Sequence, residues 1–114
     1  MRLERVASEI KKEISLILSQ ELRDPRLGFV TITRVKMSPD LREAWVYFSV
    51  LADKAKQEDS LKVLSGAAGY IRRLIGQRLR LRFNPEIKFK FDKSIAYSIE
   101  IEERIRELKD EKEQ

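Results

Sequence analysis

The sequence contains no cysteine and no histidine. Their absence removes disulfides, thiolate nucleophiles, Cys/His zinc sites and imidazole acid–base catalysis together. No apolar run approaches the roughly 20 residues of a membrane span, and helical periodicity begins at Leu3 with no signal-peptide core before it. The expectation is a soluble, cytoplasmic protein with no metal, cofactor or small-molecule substrate. At 114 residues and 42% hydrophobic content, it is expected to form one domain that buries about 60 to 70% of its unfolded surface. Glycine is scarce as well, with four in the chain, and three of these crowd into residues 61 to 82.

In that crowded stretch Leu61, Leu64, Ala68, Ile71, Ile75 and Leu79 recur at three- and four-residue steps, as on a helix with one buried face. Each glycine inside an uninterrupted helix costs about 1 kcal/mol relative to alanine. The spacing therefore predicts two helices in close succession, joined at Gly66-Ala67-Ala68-Gly69, with an arginine-rich second helix leaving the joint.

The net charge is +5. Residues 70 to 93 carry eight Lys/Arg against two acids, a local +6, whereas residues 94 to 114 carry four basic residues against seven acids, a local −3. A segment more basic than the whole chain points to a polyanionic partner, and either a nucleic acid or an anionic membrane surface satisfies that electrostatics.

Along the chain, Leu3, Val6, Ile10, Ile14 and Ile17 form a helical stripe from Arg2 to about Leu22, with Arg5, Ser8 and Lys12 on the opposite side. Leu16 falls near the polar face as an ordinary isolated exposed leucine. Pro25 and Gly28 break the helix. Two β-branched runs, Phe29 to Met37 and Arg42 to Leu51, flank the turn-like Ser38-Pro39-Asp40-Leu41 and are expected to pair as an antiparallel hairpin. In the second run Ala44, Val46, Phe48 and Val50 alternate with Glu43, Trp45, Tyr47 and Ser49. Trp45 and Tyr47 have two readings, stacking of bases or plain packing on the sheet.

Asp53 is a candidate cap for the helix that reaches the glycine joint. Beyond the joint, Arg72, Gly76 and Arg80 lie on one line of the helix, and Arg73 and Gln77 on its neighbour, both away from the apolar stripe. Arg78 lies nearer that stripe, where it is expected to snorkel from the edge. Ile87, Phe89 and Phe91 alternate with Lys88, Lys90 and Asp92, as in a half-buried third strand. Ile95 to Ile101 alternate like a strand, but periodicity sustained to Leu108 without Gly or Pro favours a C-terminal helix from about residue 94.

The resulting order, helix, strand, strand, helix, helix, strand, helix, is that of an α+β K-homology type II-like sandwich (α-β-β-α-kink-α-β) with an additional C-terminal helix. Residues 1 to 93 would make the RNA-binding domain, and 94 to 114 an acidic-flanked helix of the same domain. The runs Arg5-Val6-Ala7-Ser8-Glu9-Ile10, Asp24-Pro25-Arg26, Thr31-Ile32-Thr33-Arg34-Val35, Ser38-Pro39-Asp40-Leu41, Ala44-Trp45-Val46-Tyr47, Tyr70-Ile71-Arg72 and Leu79-Arg80-Leu81-Arg82, with Pro85, Phe89 and Asp92, occur in order over nearly the whole chain. Together they resemble the ribosome-binding factor A family.

That resemblance implies a non-enzymatic small-subunit (30S) assembly factor, associated with cold adaptation, which binds the maturing particle and its 16S rRNA and assists late rRNA folding and processing. It also implies an interhelical Ala-x-Gly kink on Ala67, Ala68 and Gly69 in place of the Gly-x-x-Gly loop of other K-homology domains. Gly66-Ala67-Ala68-Gly69 also matches Gly-x-x-Gly literally, but without a basic residue in the middle. Gly69 is expected to adopt a conformation awkward for a β-branched residue.

The candidate RNA-binding residues are Arg72, Arg73, Arg80 and Arg82 after the joint, Lys88 and Lys90 as an extension of that surface, and Arg5 and Lys12 on the first helix. For each alone the plain alternative is a solvated helix face. Catalysis would have to rest on carboxylates, Lys93 and tyrosines, with no converging set among them. Two other functions fit the charge, a general single-stranded RNA-binding protein and a basic module that docks an acidic protein. A monomer is the default state.

Overall fold

Every fourth or third residue of the first helix, α1 (Arg2–Gln20), is apolar, and its stripe Val6, Ile10, Ile14 and Ile17 is buried. Leu16 points out, as its position on the wheel requires. The helix closes by a wide turn in which the Glu21 and Leu22 amides both donate to the Ile17 carbonyl, at 2.9 and 3.0 Å. The computed structural model describes residues 2–22, 24, 27, 29–51, 54–81 and 84–93. The expected C-terminal helix, Arg82, the Asp53 cap, and Pro25 and Gly28 lie outside the described residues.

Strands β1 (Val30–Met37) and β2 (Glu43–Val50) pair antiparallel, with Met37 opposite Ala44 and Val30 opposite Val50. A bulge between Ile32 and Arg34 inserts Thr33. The extra residue resets the alternation, so that Ile32 and Val35 face the same side although three positions apart, opposite Phe48 and Val46. Thr33 uses its displaced position to donate a 2.6 Å hydrogen bond to the buried Asp92. Strand β3 (Glu86–Phe91) lies parallel to β2, giving the sheet order β1-β2-β3. Parallel neighbours need a crossover, and helices α2 (Lys54–Gly66) and α3 (Ala68–Arg78) supply it.

Helices α1, α2 and α3 pack on one face of the sheet. Phe48, fully buried, stands at the centre, edge-on to Phe89 and Phe91 with ring centroids 6.4 and 5.8 Å away. Ile10, Ile14, Leu64, Ile71 and Ile75 close over it. The other face of the sheet has no helix against it among the described residues, and Trp45 and Tyr47 lie half-buried there.

The β1–β2 turn is held by a small polar network. The Leu41 amide donates to the Ser38 carbonyl at 2.9 Å, closing Ser38-Pro39-Asp40-Leu41 as a β-turn. Ser38 Oγ donates to Asp40 Oδ1 at 2.6 Å and accepts from the Glu43 amide at 2.9 Å, while the Arg42 amide donates to the same Asp40 oxygen at 3.1 Å. Leu41 takes φ 63°, left-handed for a residue with a Cβ, and this network holds it there.

The two donors hold the Asp40 carboxyl below its ordinary pKa, the Ser38 hydroxyl contributing most. The folded pKa is thus the lower one, so the contribution is complete above the unfolded pKa and is lost as pH falls through the folded value. Acid titration of the unfolding midpoint should therefore show an acid limb that is shallower in Asp40→Asn than in the parent chain.

Candidate nucleic-acid interface

The break between α2 and α3 falls at Ala67, with φ −89° and ψ −2° and no side-chain cap. The Ala67 amide divides its hydrogen bond between the Val63 and Leu64 carbonyls, at 3.0 and 3.1 Å, and the Ala67 carbonyl accepts from Ile71 at 2.9 Å. The joint is therefore a kink of nearly continuous helix, made by small residues where a loop would need a turn. No described glycine has positive φ, and a Cβ on Gly66 or Gly69 would meet nothing within 4 Å. This overturns the expectation of an awkward backbone at Gly69, which sits in the ordinary first turn of α3. The close approach is at Gly76, where a Cβ would lie 2.8 Å from Asn84 Nδ2.

That approach decides what Arg72 does. Its Nη2 and Nε donate to the Asn84 carbonyl at 2.9 and 3.3 Å, tying α3 to the segment that leads into β3. Arg73 projects into solvent from the neighbouring line. Arg78 does not merely snorkel: it pairs with Glu13 at 3.6 Å and forms a close hydrogen-bonded pair with Glu21, to which Tyr70 also donates at 3.2 Å. Those carboxylates raise its pKa, the Glu21 hydrogen bond first. Arg78 thus fastens α3 to α1 and is occupied.

Arg80, just past α3, is brought to the N-terminal turns of α1. Arg2, Arg5 and Arg80 rim a recess of about 250 Å³ floored by Val6, Met37, Leu41 and Leu81 and bordered by Glu9. Glu9 holds Arg5 at 3.8 Å in an i,i+4 pair, but Arg5 is 84% exposed, so the pair is weak. Arg2 and Arg80 have no acidic partner among the described residues. Three guanidinium groups around one recess concentrate positive charge there. Arg2 was missed in the sequence, because nothing in one dimension shows that the start of α1 meets the end of α3. Lys12 is exposed on α1.

Lys88 and Lys90 do not extend the α3 surface. Ile87 and Phe89 turn inward under the helices, so strand alternation sends Lys88 and Lys90 to the opposite face of the sheet. Lys88 pairs there with Glu43 at 3.3 Å. The candidate cations therefore divide between two sides of the molecule. Among the described residues no group of Asp and Glu is arranged to hold a metal ion, and no helix is long and apolar enough to cross a membrane.

The family model for ribosome-binding factor A matches residues 2–105. Among solved structures, a Thermotoga maritima protein proposed to be a ribosome-binding factor A is 42% identical, with TM-score 0.69 over 75% of this chain and 82% of that one. The crystal structure of ribosome-binding factor A from Thermus thermophilus is 26% identical, with TM-score 0.70 over 78% and 93% of the two chains. A homology model of the Thermus thermophilus protein, fitted into a cryo-electron-microscopy map of a 30S complex, is 26% identical, with TM-score 0.64 over 76% and 91%.

Two substitutions separate structural roles from binding ones. Gly69→Ala should raise the free energy of unfolding by about 0.5 kcal/mol in denaturant titration, since helical backbone and open space are both present. Arg78→Met should lower the thermal midpoint while leaving the affinity for a polyanion unchanged.

Proposed function

The chain belongs to the ribosome-binding factor A family, and from that premise we propose that it binds the maturing small ribosomal subunit through 16S rRNA and assists late rRNA folding and processing. The observation that carries this reading is a relative of the same fold fitted into a 30S complex. The reading is also supported by the exposure of Arg73 on α3 and of the Arg2, Arg5 and Arg80 rim, cations suited to phosphates. The element order, with β3 parallel to β2 and two helices kinked at Ala67 between them, fits a K-homology type II-like domain. In this reading the kink aims α3 and needs no phosphate of its own. The role is one of binding and not of catalysis, and residues 94 to 114 are assigned to the same domain as its acidic C-terminal part.

Arg73→Glu combined with Arg80→Glu leaves Arg72 on Asn84 and Arg78 on its carboxylates, so the fold should be kept. The double variant should leave free small subunits in a sucrose gradient, and its residual binding should show a log K against log[salt] slope shallower by roughly one to two. Co-sedimentation equal to that of the parent chain would overturn the assignment.

A further inference from the structure

The face of the sheet away from the helices carries a repeated pattern that the arginine surface does not use. Across the three strands, Lys36, Trp45 and Lys88 stand in one row, and Arg34, Tyr47 and Lys90 in the next. In each row an aromatic ring on the central strand has a cation on both neighbours, about 5 Å away across the strands. Lys36 and Lys90 have no acidic partner among the described residues, and Lys88 has only its half-exposed pair with Glu43. The acids of this face among the described residues, Glu43 and Glu86, sit opposite one another at one end, and Asp92 at the other end is buried at 4% exposure and pairs with Arg34 at 3.9 Å.

We propose that this face is a second RNA-contact surface, on which Trp45 and the Arg34-covered Tyr47 stack two successive unpaired bases of a single strand while Lys36, Lys88 and Lys90 meet its phosphates. The proposal rests on the reading that the chain binds RNA. Three features favour single-stranded RNA over an acidic protein. Trp45 and Tyr47, two residues apart on one strand, are separated by about 7 Å, twice the roughly 3.4 Å rise of a stacked strand, so they suit bases that have been splayed apart. Arg34 Cζ lies 4.0 Å from the Tyr47 ring centroid, so the second base meets a guanidinium plane backed by a ring, itself a stacking surface. The cations flank the rings on both sides, where a backbone passing over stacked bases places its phosphates.

Trp45 is the only tryptophan in the chain, so intrinsic fluorescence reports on it directly. An unpaired eight-nucleotide oligouridylate should quench it in a saturable titration, whereas inorganic polyphosphate and a polyglutamate peptide should not. Trp45→Leu with Tyr47→Leu keeps apolar area on the sheet and should weaken oligonucleotide binding on the order of tenfold. Absence of quenching by the oligonucleotide would overturn the proposal, as would equal quenching by polyphosphate, which marks a purely electrostatic surface, or by polyglutamate, which marks a protein-binding one. If the leucine variant does not fold, the parent chain's fluorescence decides alone. Subunit binding lost in Arg73→Glu/Arg80→Glu, with Trp45 unquenched by the oligonucleotide, would overturn the stacking surface and leave the ribosomal reading standing. Quenching with normal subunit binding in that variant would leave the stacking surface standing and overturn the assignment of subunit binding to Arg73 and Arg80.

Discussion

Strand β2 is the element on which both sides of this molecule depend. It is central in the sheet, paired to β1 by its antiparallel edge and to β3 by its parallel one. Its even-numbered residues Ala44, Val46, Phe48 and Val50 are all buried, and Phe48 alone organises two further phenylalanines. Because the side-chain period of a strand is two, committing this set to the helices commits Trp45 and Tyr47 to the opposite side. The parallel pairing with β3 in turn requires a crossover, and the helices that supply it, α2 and α3, pack on the same buried side chains as α1. The one-sided core and the placing of Trp45 and Tyr47 on the opposite face thus have one cause.

Charge is distributed over this frame in two ways. Some cations are consumed by the fold: Arg78 on Glu13 and Glu21, and Arg72 on the Asn84 carbonyl. Both fix α3, one toward α1 and the other toward the start of β3. Others have no acidic partner among the described residues, as with Arg2 and Arg80 at the recess, where the bordering Glu9 pairs with Arg5. A rigid α3 held on both flanks presents Arg73 and leads into Arg80 at a defined angle, and the kink at Ala67 sets that angle without strain. Among the described residues the left-handed backbone is at Leu41, in the β1–β2 turn beside the recess.

Sequence periodicity determined a good deal of this. The α1 stripe, the alternation of β2 and β3, the hairpin turn at Ser38 to Leu41 and the division of residues 54 to 78 into two helices were all readable, because each follows from local spacing and the backbone demands of a few residues. The bulge at Thr33 was not, since it reveals itself only through the register with β2 and the reach to Asp92. Glycine was misleading in detail: three in one helical pattern marked the joint correctly, yet the one with a close neighbour is Gly76, whose neighbour Asn84 arrives through tertiary packing. What only the tertiary structure decided is which cations share a surface. A sequence shows the face of its own element that a residue occupies, but layer packing determines which faces meet. That is why Arg2 joined Arg80, why Lys88 and Lys90 parted from the arginines of α3, and why two aromatic residues with an ordinary alternation came to stand between rows of basic side chains.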